Sequence, residues 1–457
     1  MSRRRKVLRI FGALFVVGGL LLSSMAGTVR AQRPHDNITL TFWIWSDDPL
    51  NHALIEPYFR QFEKIHPGIT IKWVAVPTDN NYVKYTTAIA AGRGPDVILT
   101  PNFNPPIPEW AANQLIQPLD PWFKQLNISQ NQWMPWVWKM QNFHGRVWGF
   151  VQEYDTTLFI WNKDAFKKAG LDPNRPPRTI AELDAYDKKL TKFDSKGNLI
   201  QAGIVPWAQL GNDPRYWAAL FGGSLYDQDK RQYTLNAPAN VAALDWMGKV
   251  AKSLGGAAKA NGFLNKFTGN ADPLYTGQVA MEVAGDWYPP QVYARYAPKM
   301  NYGVAPPPTA PGVPYGTNIV IGPDVFVMPV GARHPLESAE LMLYMMRADP
   351  VLKWCIGEAN VPPTVSGLFN PKYVQGVPFM SMAVQTARMA LKNPAVLRPY
   401  PTSSLFDYVG SQYSTAMQQV EYGKMSAKAA LDNVQKVALD YVAKAKQQNP
   451  DWYGGGD

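Results

Sequence analysis

The chain has 457 residues, of which 46% are hydrophobic and 18% charged, and its formal net charge is +10. That length suits two or three domains of roughly 150 residues, and the mixture of apolar residues with both signs of charge excludes an intrinsically disordered chain. The basic excess does not mark a nucleic-acid binder: Arg3, Arg4, Arg5, Lys6, Arg9 and Arg30 lie in residues 1–31 without an acid, and removing these six leaves +4 with no basic run.

Residues 1–31 have the layout of a secretory signal: a basic start, an apolar run from Ile10 to Leu22, and small residues ending at Ala31. The run is shorter than the roughly 20 residues of a bilayer span, so an exported protein, periplasmic or at the cell surface, is expected, with an uncleaved anchor as the alternative. The one cysteine, Cys355, lies in the apolar setting Leu352-Lys353-Trp354-Cys355-Ile356 and reads as a buried structural thiol. No cysteine follows the signal to carry a lipid.

Residues 38–45 are apolar and β-branched and predict a strand, broken by Asp47-Asp48-Pro49. Ile55, Tyr58, Phe59, Phe62 and Ile65 recur at helical spacing up to a Pro67-Gly68 stop. A second strand over 69–76, a helix marked by Tyr82, Tyr85 and Ile89, a turn over 92–95 and a third strand over 96–100 complete a strand–helix alternation. Right-handed crossovers and a mostly parallel sheet follow from it. In such sheets ligands bind beyond the carboxyl ends of the strands, which directs attention to the segments after Trp45 and Leu99. Asp96, at the entry to the third strand, reads as a structural cap.

Further along, residues 145–161 carry two apolar runs around a polar centre, Gln152-Glu153-Tyr154-Asp155. A short helix over 162–170 precedes another from Ile180, with Thr179 and Glu182 as a capping box. A proline-rich stretch over 306–314 reads as a linker, and a long helix is predicted over 426–446.

Chemistry-bearing motifs are scarce. The sequence contains no phosphate-binding GxxxxGK[ST] loop, no GxSxG elbow, no HExxH and no CxxC, and its five histidines are scattered. No catalytic residue, metal or cofactor is therefore expected, although the many acids leave a glycosidase carboxylate pair open. Aromatics are abundant, with 16 Trp and 22 Tyr. Many stand beside acids or amides in predicted loops, in the clusters Trp43 and Trp45, Trp207, Tyr216-Trp217, and Asp286-Trp287-Tyr288. An aromatic plane covers the apolar face of a sugar ring while neighbouring carboxylates and amides take its hydroxyls. Core packing explains such aromatics equally well at most single positions.

In order along the chain stand FEKIHPGITIKWV (62–74), AAGRGPDVILT (90–100), LIQPLD (115–120), GRVWGFVQEYDTTLFIWNKDAFKKAGL (145–171), PPRTIAELDAYDKKL (176–190), FGGSLYD (221–227), GQVAMEVAGDW (277–287) and EANVPPTVSG (358–367). Together they resemble the extracellular solute-binding proteins of sugar ABC importers, the maltose- and oligosaccharide-binding group. The resemblance implies an α/β, two-lobed periplasmic-binding-protein fold, each lobe a mixed sheet flanked by helices, with ligand in the cleft between lobes. It implies one lobe from residues 38–152 with about 310–365 and another from 153–309 with about 366–450. It carries ligand-binding roles to Trp45, Asp47 and Asp48 after the first strand, Asn102 after the third, and Tyr154 and Asp155 at the chain crossing. Tyr216 and Trp217 match a ligand-facing helix start, and Trp287 a stacking tryptophan. The implied function is capture of a di- or oligosaccharide by a monomer and its delivery to ABC transporter membrane permease subunits. A glycerol-3-phosphate or phosphodiester ligand, or a secreted glycoside hydrolase, remain alternatives.

Overall fold

The computed structural model describes residues 37–76, 81–101, 107–267 and 272–453. The proposed signal segment and Asn102 lie outside the described residues.

The predicted opening alternation forms. Strand β1 (Ile38–Ile44) buries Leu40, Phe42 and Ile44 in alternate positions and is followed by helix α1 (Pro49–Ile65). Asp48 caps this helix by accepting from the Leu50 amide at 2.8 Å, and Pro49 occupies the first helical position, where no amide hydrogen is needed. Leu54, Ile55, Tyr58, Phe59 and Phe62 make its buried stripe. Strand β2 (Ile69–Ala75), helix α2 (Asn81–Ala90) and strand β3 (Val97–Pro101) complete the unit, with β1 parallel to both β2 and β3. Asp96 is buried and ties this region together: Oδ2 accepts from the Thr41 amide and hydroxyl at 2.8 and 2.7 Å, and Oδ1 from the Arg333 amide at 2.9 Å.

The polar centre at 152–155 does not interrupt structure. Strand β4 (Phe150–Asn162) runs through it, buried at every residue. Asn162 ends the strand and caps helix α3 (Lys163–Lys168). Helix α4 (Ile180–Leu190) starts at Thr179, whose hydroxyl accepts from the Glu182 amide at 3.1 Å, while Glu182 reaches back to the Arg178 amide at 2.8 Å. Strand β5 (Leu199–Ile204), helix α5 (Pro214–Leu220), helix α6 (Pro238–Ser253), strand β6 (Val279–Gly285) and strand β7 (Tyr302–Ala305) follow. Strand β8 (Asn318–Val327), helix α7 (Ala348–Glu358), helix α8 (Phe406–Glu421) and helix α9 (Ala427–Gln448) complete the frame. Cys355, on α7, is a buried free thiol.

One mixed sheet runs β2-β1-β3-β8-β4-β6-β5, with β7 also paired to β4. The two long strands β4 and β8 serve both halves. The start of β4 and the end of β8 pair beside β3, whereas the later part of β4 pairs with β6 and β7. The β4–β8 register slips between Ile321 and Asp324, at Gly322-Pro323. Gly322 has φ of +46°, which side-chain-bearing residues rarely adopt, and Pro323 has no amide to place in the ladder. The chain passes the same level a third time at Val361, which exchanges both backbone hydrogen bonds with Tyr154, at 2.8 and 3.1 Å. Three crossings at one level, one of them with a break in its ladder, form a waist that joins the two halves of the sheet.

Candidate functional site

Two acid-rich regions meet at this waist. The first is a buried carboxylate cluster. Glu153, Asp155, Asp286, Asp324 and Glu358 are each at most 8% exposed. Glu153 Oε1 accepts from the Asp324 amide at 3.1 Å, and Asp324 Oδ2 from the Trp45 indole at 2.8 Å. Asp286 Oδ2 accepts from the Thr156 amide at 3.0 Å. Asn360 donates its amide to Asp155 Oδ1. Glu358 accepts from Asn51 at 2.9 Å and from Gln291 at 2.7 Å. Gln291 lies in the turn of helix Tyr288–Tyr293 after β6, so this last bond links the two halves of the sheet.

Burial disfavours the charged form of every one of these acids. It pushes Glu153, Asp155 and Asp324 well above the usual carboxylate range, with neighbouring carboxylates adding to the rise. Asp286 and Glu358 are pushed up to about 7, again chiefly by burial. Asp155 and Asp286 lie close enough for their titrations to be coupled. Among the described residues no group of His, Cys, Asp and Glu is arranged to hold a metal ion.

The second region is a cavity of about 810 Å³, within the roughly 300–1,000 Å³ of small-ligand sites. Its walls are the loop from Trp207 to Asn212, the start of α5, Asn261, Trp287, Ile321-Gly322 at the break in β8, Tyr400, and one face of α8. Asp407, Gly410, Ser414, Met417, Gln418 and Glu421 recur at three- and four-residue spacing and so share that face. The opposite face buries Val409, Tyr413, Ala416 and Val420.

Trp287 is half-buried and held from behind by Gly285, where a Cβ would fall 2.3 Å from the indole ring. Only glycine lets the ring lie this close to the strand end. The Trp207 indole donates to Asn261 Oδ1 at 2.8 Å, and Asn261 donates in turn to the Tyr422 hydroxyl at 3.1 Å. Arg215 is the one cation among the described cavity-lining residues, and each of its functions is taken. It grips Asp213 through Nη2 at 2.6 Å and Nε at 3.1 Å, donates Nη1 to the Val320 carbonyl at 2.9 Å, and lies 4.4 Å from the Tyr400 ring centre. Asp213 also caps α5 through the Arg215 amide at 2.8 Å. By contrast Glu421, 6% exposed, leaves Oε1 without a hydrogen-bond partner.

The residues expected from sequence to bind ligand are therefore distributed. Trp45, Tyr154 and Asp155 gather at the carboxylate cluster, with Tyr154 engaged through its backbone. Trp287 lines the cavity. Asp47 and Asp48 are exposed at the start of α1. Tyr216 and Trp217 are 0% and 2% exposed and stand behind the cavity wall, the Trp217 indole donating to the Pro206 carbonyl at 2.8 Å. Sequence reading passed over Asp213, Arg215, Tyr400 and the polar face of α8. The Asp407–Glu421 stripe was visible as a helical period, but a polar stripe on a helix is the ordinary signature of a solvated face.

Residues 49–351 match the family model of the bacterial extracellular solute-binding protein. Among solved structures, CpMnBP1 with mannotriose bound superposes with a TM-score of 0.74 at 28% identity, covering 88% of this chain and 100% of that one. The sugar-binding protein MalE from the phytopathogen Xanthomonas citri superposes at 0.71 with 20% identity, covering 90% and 98%. Among curated relatives, the sn-glycerol-3-phosphate-binding periplasmic protein UgpB of Salmonella paratyphi A is 26% identical over 278 residues. That match spans 58% of this chain and 60% of the relative. The architecture is the two-lobed α/β binding-protein fold.

Proposed function

The chain belongs to the bacterial extracellular solute-binding protein family, and from that premise we propose that it is the receptor of an ABC importer that captures a carbohydrate and delivers it to membrane permease subunits. The observation that carries the carbohydrate is the cavity wall: Trp207, Trp287 and Tyr400 offer ring faces, while Asn212, Asn261, Ser414 and Gln418 offer hydroxyl partners. The likeness to a mannotriose-bound protein supports the same class.

A glycerol-3-phosphate ligand is the second reading, favoured by the Salmonella relative. A phosphate calls for available Arg, Lys or helix N-termini. The lining cation Arg215 is already neutralised by Asp213, and Asp213 also occupies the N-terminus of α5. Asp407 and Glu421 add two further acids and no cation. The lining thus favours a neutral or cationic solute over an anion.

Binding rather than catalysis is the reading for the acids. In glycosidases the two carboxyls stand about 5–9.5 Å apart to flank the scissile bond, whereas Asp155 and Asp286 lie close together inside a buried cluster. We read residues 38–152 with about 310–365, and 153–309 with about 366–450, as lobes that close around the ligand by bending at the waist, where Gly322 interrupts the β8 register. Calorimetry with mannotriose and with glycerol-3-phosphate tests the function: micromolar sugar binding is expected, and binding of the phosphate alone would overturn it.

A further inference from the structure

The cavity lining holds the acids Asp213, Asp407 and Glu421 and the base Arg215. The Asp213–Arg215 pair is closed upon itself. What remains is negative charge. Asp407 opens α8 at the exposed mouth, and Glu421 ends the same helix face at the buried end. At about 1.5 Å of rise per residue the two stand roughly 20 Å apart, so they cannot serve a single ligand group and Glu421 must be considered alone.

A buried carboxyl ordinarily has hydrogen-bond donors. Glu421 lies within the wall at 6% exposure, yet its Oε1 has none. Burial alone raises its pKa, to about 7, with no cationic neighbour contributing. Lys424 is close in sequence, but its ammonium sits over the Tyr422 ring at 5.7 Å and is not part of the cavity wall. Gln418 precedes Glu421 by three residues on the same helix and Tyr422 follows it, and the Tyr422 hydroxyl is joined through Asn261 to the Trp207 indole in the same cavity wall. A carboxylate beside aromatic faces in a partly dry recess is the chemistry that holds an ammonium group, through charge-assisted hydrogen bonding and attraction to the ring faces.

We propose that the Glu421 end of the cavity is a subsite for a protonated amine, and that the solute is a sugar bearing a basic nitrogen, of the amino-sugar or aminocyclitol class. This deepens the carbohydrate reading above and rests on it. A bound ammonium pairs with the Glu421 carboxyl, holds it ionised, and meets no competing cation, because Arg215 is occupied.

The test compares three trisaccharides by calorimetry on the full chain: β-1,4-linked glucosamine, its N-acetylated and therefore uncharged counterpart, and mannotriose. The glucosamine trimer is expected to bind at least about tenfold tighter than the N-acetylated one, in keeping with the larger worth of hydrogen bonds to charged groups, and this ratio should shrink as salt rises. Glu421→Gln, which keeps shape and removes charge, should bring the ratio to about one, whereas Asp407→Asn should leave most of it. Equal or tighter binding of the uncharged trimers overturns the amine subsite while the carbohydrate receptor stands. A preference that survives Glu421→Gln overturns the assignment to Glu421. Failure of all three sugars alongside binding of glycerol-3-phosphate overturns both readings.

Discussion

The waist and the cavity are both rich in acids, yet they set them in different surroundings. At the waist, Glu153, Asp155, Asp286, Asp324 and Glu358 crowd together and are pushed towards their neutral forms, accepting from backbone amides, Trp45, Asn51, Asn360 and Gln291. In the cavity wall, Asp213 is paired with Arg215, and Glu421 keeps an oxygen without a donor. Crowded carboxyls that share donors and protons hold chain crossings together. Glu153 Oε2 and Asp286 Oδ1 also lack donors, so what sets Glu421 apart is its place in the cavity wall with no second carboxyl adding to the rise of its pKa. Neither burial nor an unpaired oxygen separates the two cases, whereas neighbouring carboxylates at the waist and the open volume at Glu421 do.

The largest expected effect on this contrast is on stability. Arg215→Met leaves Asp213 without its partner and frees the Val320 carbonyl. A loss of roughly 3 kcal/mol is expected, the lower end of what breaking a buried pair costs, because Asp213 keeps a fifth of its side chain exposed. Urea denaturation measures it, and Asp213→Ala in the same background should recover part of the loss. A change under about 1 kcal/mol would mean that the pair is no more than a surface interaction.

Trp287→Ala should lower sugar affinity about tenfold or more while leaving the carboxylate cluster intact, since aromatic contacts add about 0.5–1.5 kcal/mol beyond buried area. Gly285→Ala, at a residue outside the cavity wall, forces the Trp287 indole to move and should lower affinity in the same direction. Unchanged affinity in calorimetry for Trp287→Ala would remove that ring from the site.

The waist is separable by pH. Asp286 binds its proton up to about pH 7 in the folded state, against about 3.9 in an unfolded chain. Its contribution is therefore complete below about pH 4 and is lost as pH rises through about 7. Asp286→Asn cannot ionise, so the melting temperature of the variant relative to the parent should rise between about pH 5 and pH 8. A difference that stays flat across that range would show that Asp286 is not held protonated. The smallest effect is expected at Lys139, whose 2.8 Å bridge to Asp229 is exposed on both sides. Lys139→Ala should cost no more than about 0.5 kcal/mol by denaturant titration.

Much of this molecule was legible before any coordinates. The strand–helix alternation over 38–100 could be read because apolar residues recur with periods of two and near 3.6, and local sterics turn those periods into strands and helices. The caps at Asp48 and Thr179 could be read because one side chain and one amide a few residues on suffice to make them. The ordered motifs carried the family.

Other features depended on the assembled fold. The polar centre at 152–155 is the middle of a buried strand, because Asn360 and the Asp324 amide arrive from distant segments to meet its acids. Tyr216 and Trp217 looked ready for a ligand, but α5 turns them into the core and presents Arg215 to the cavity, a choice made by packing against Trp246. The polar face of α8 could have faced water. What set it against Trp207 and Trp287, rings more than a hundred residues earlier in the chain, was the docking of α8 on α6 and α9. Local periodicity determines which elements form, since each needs only its own neighbours. Which polar side chains end beside an empty volume is settled by contacts between segments far apart in sequence, and those exist only once the chain has folded.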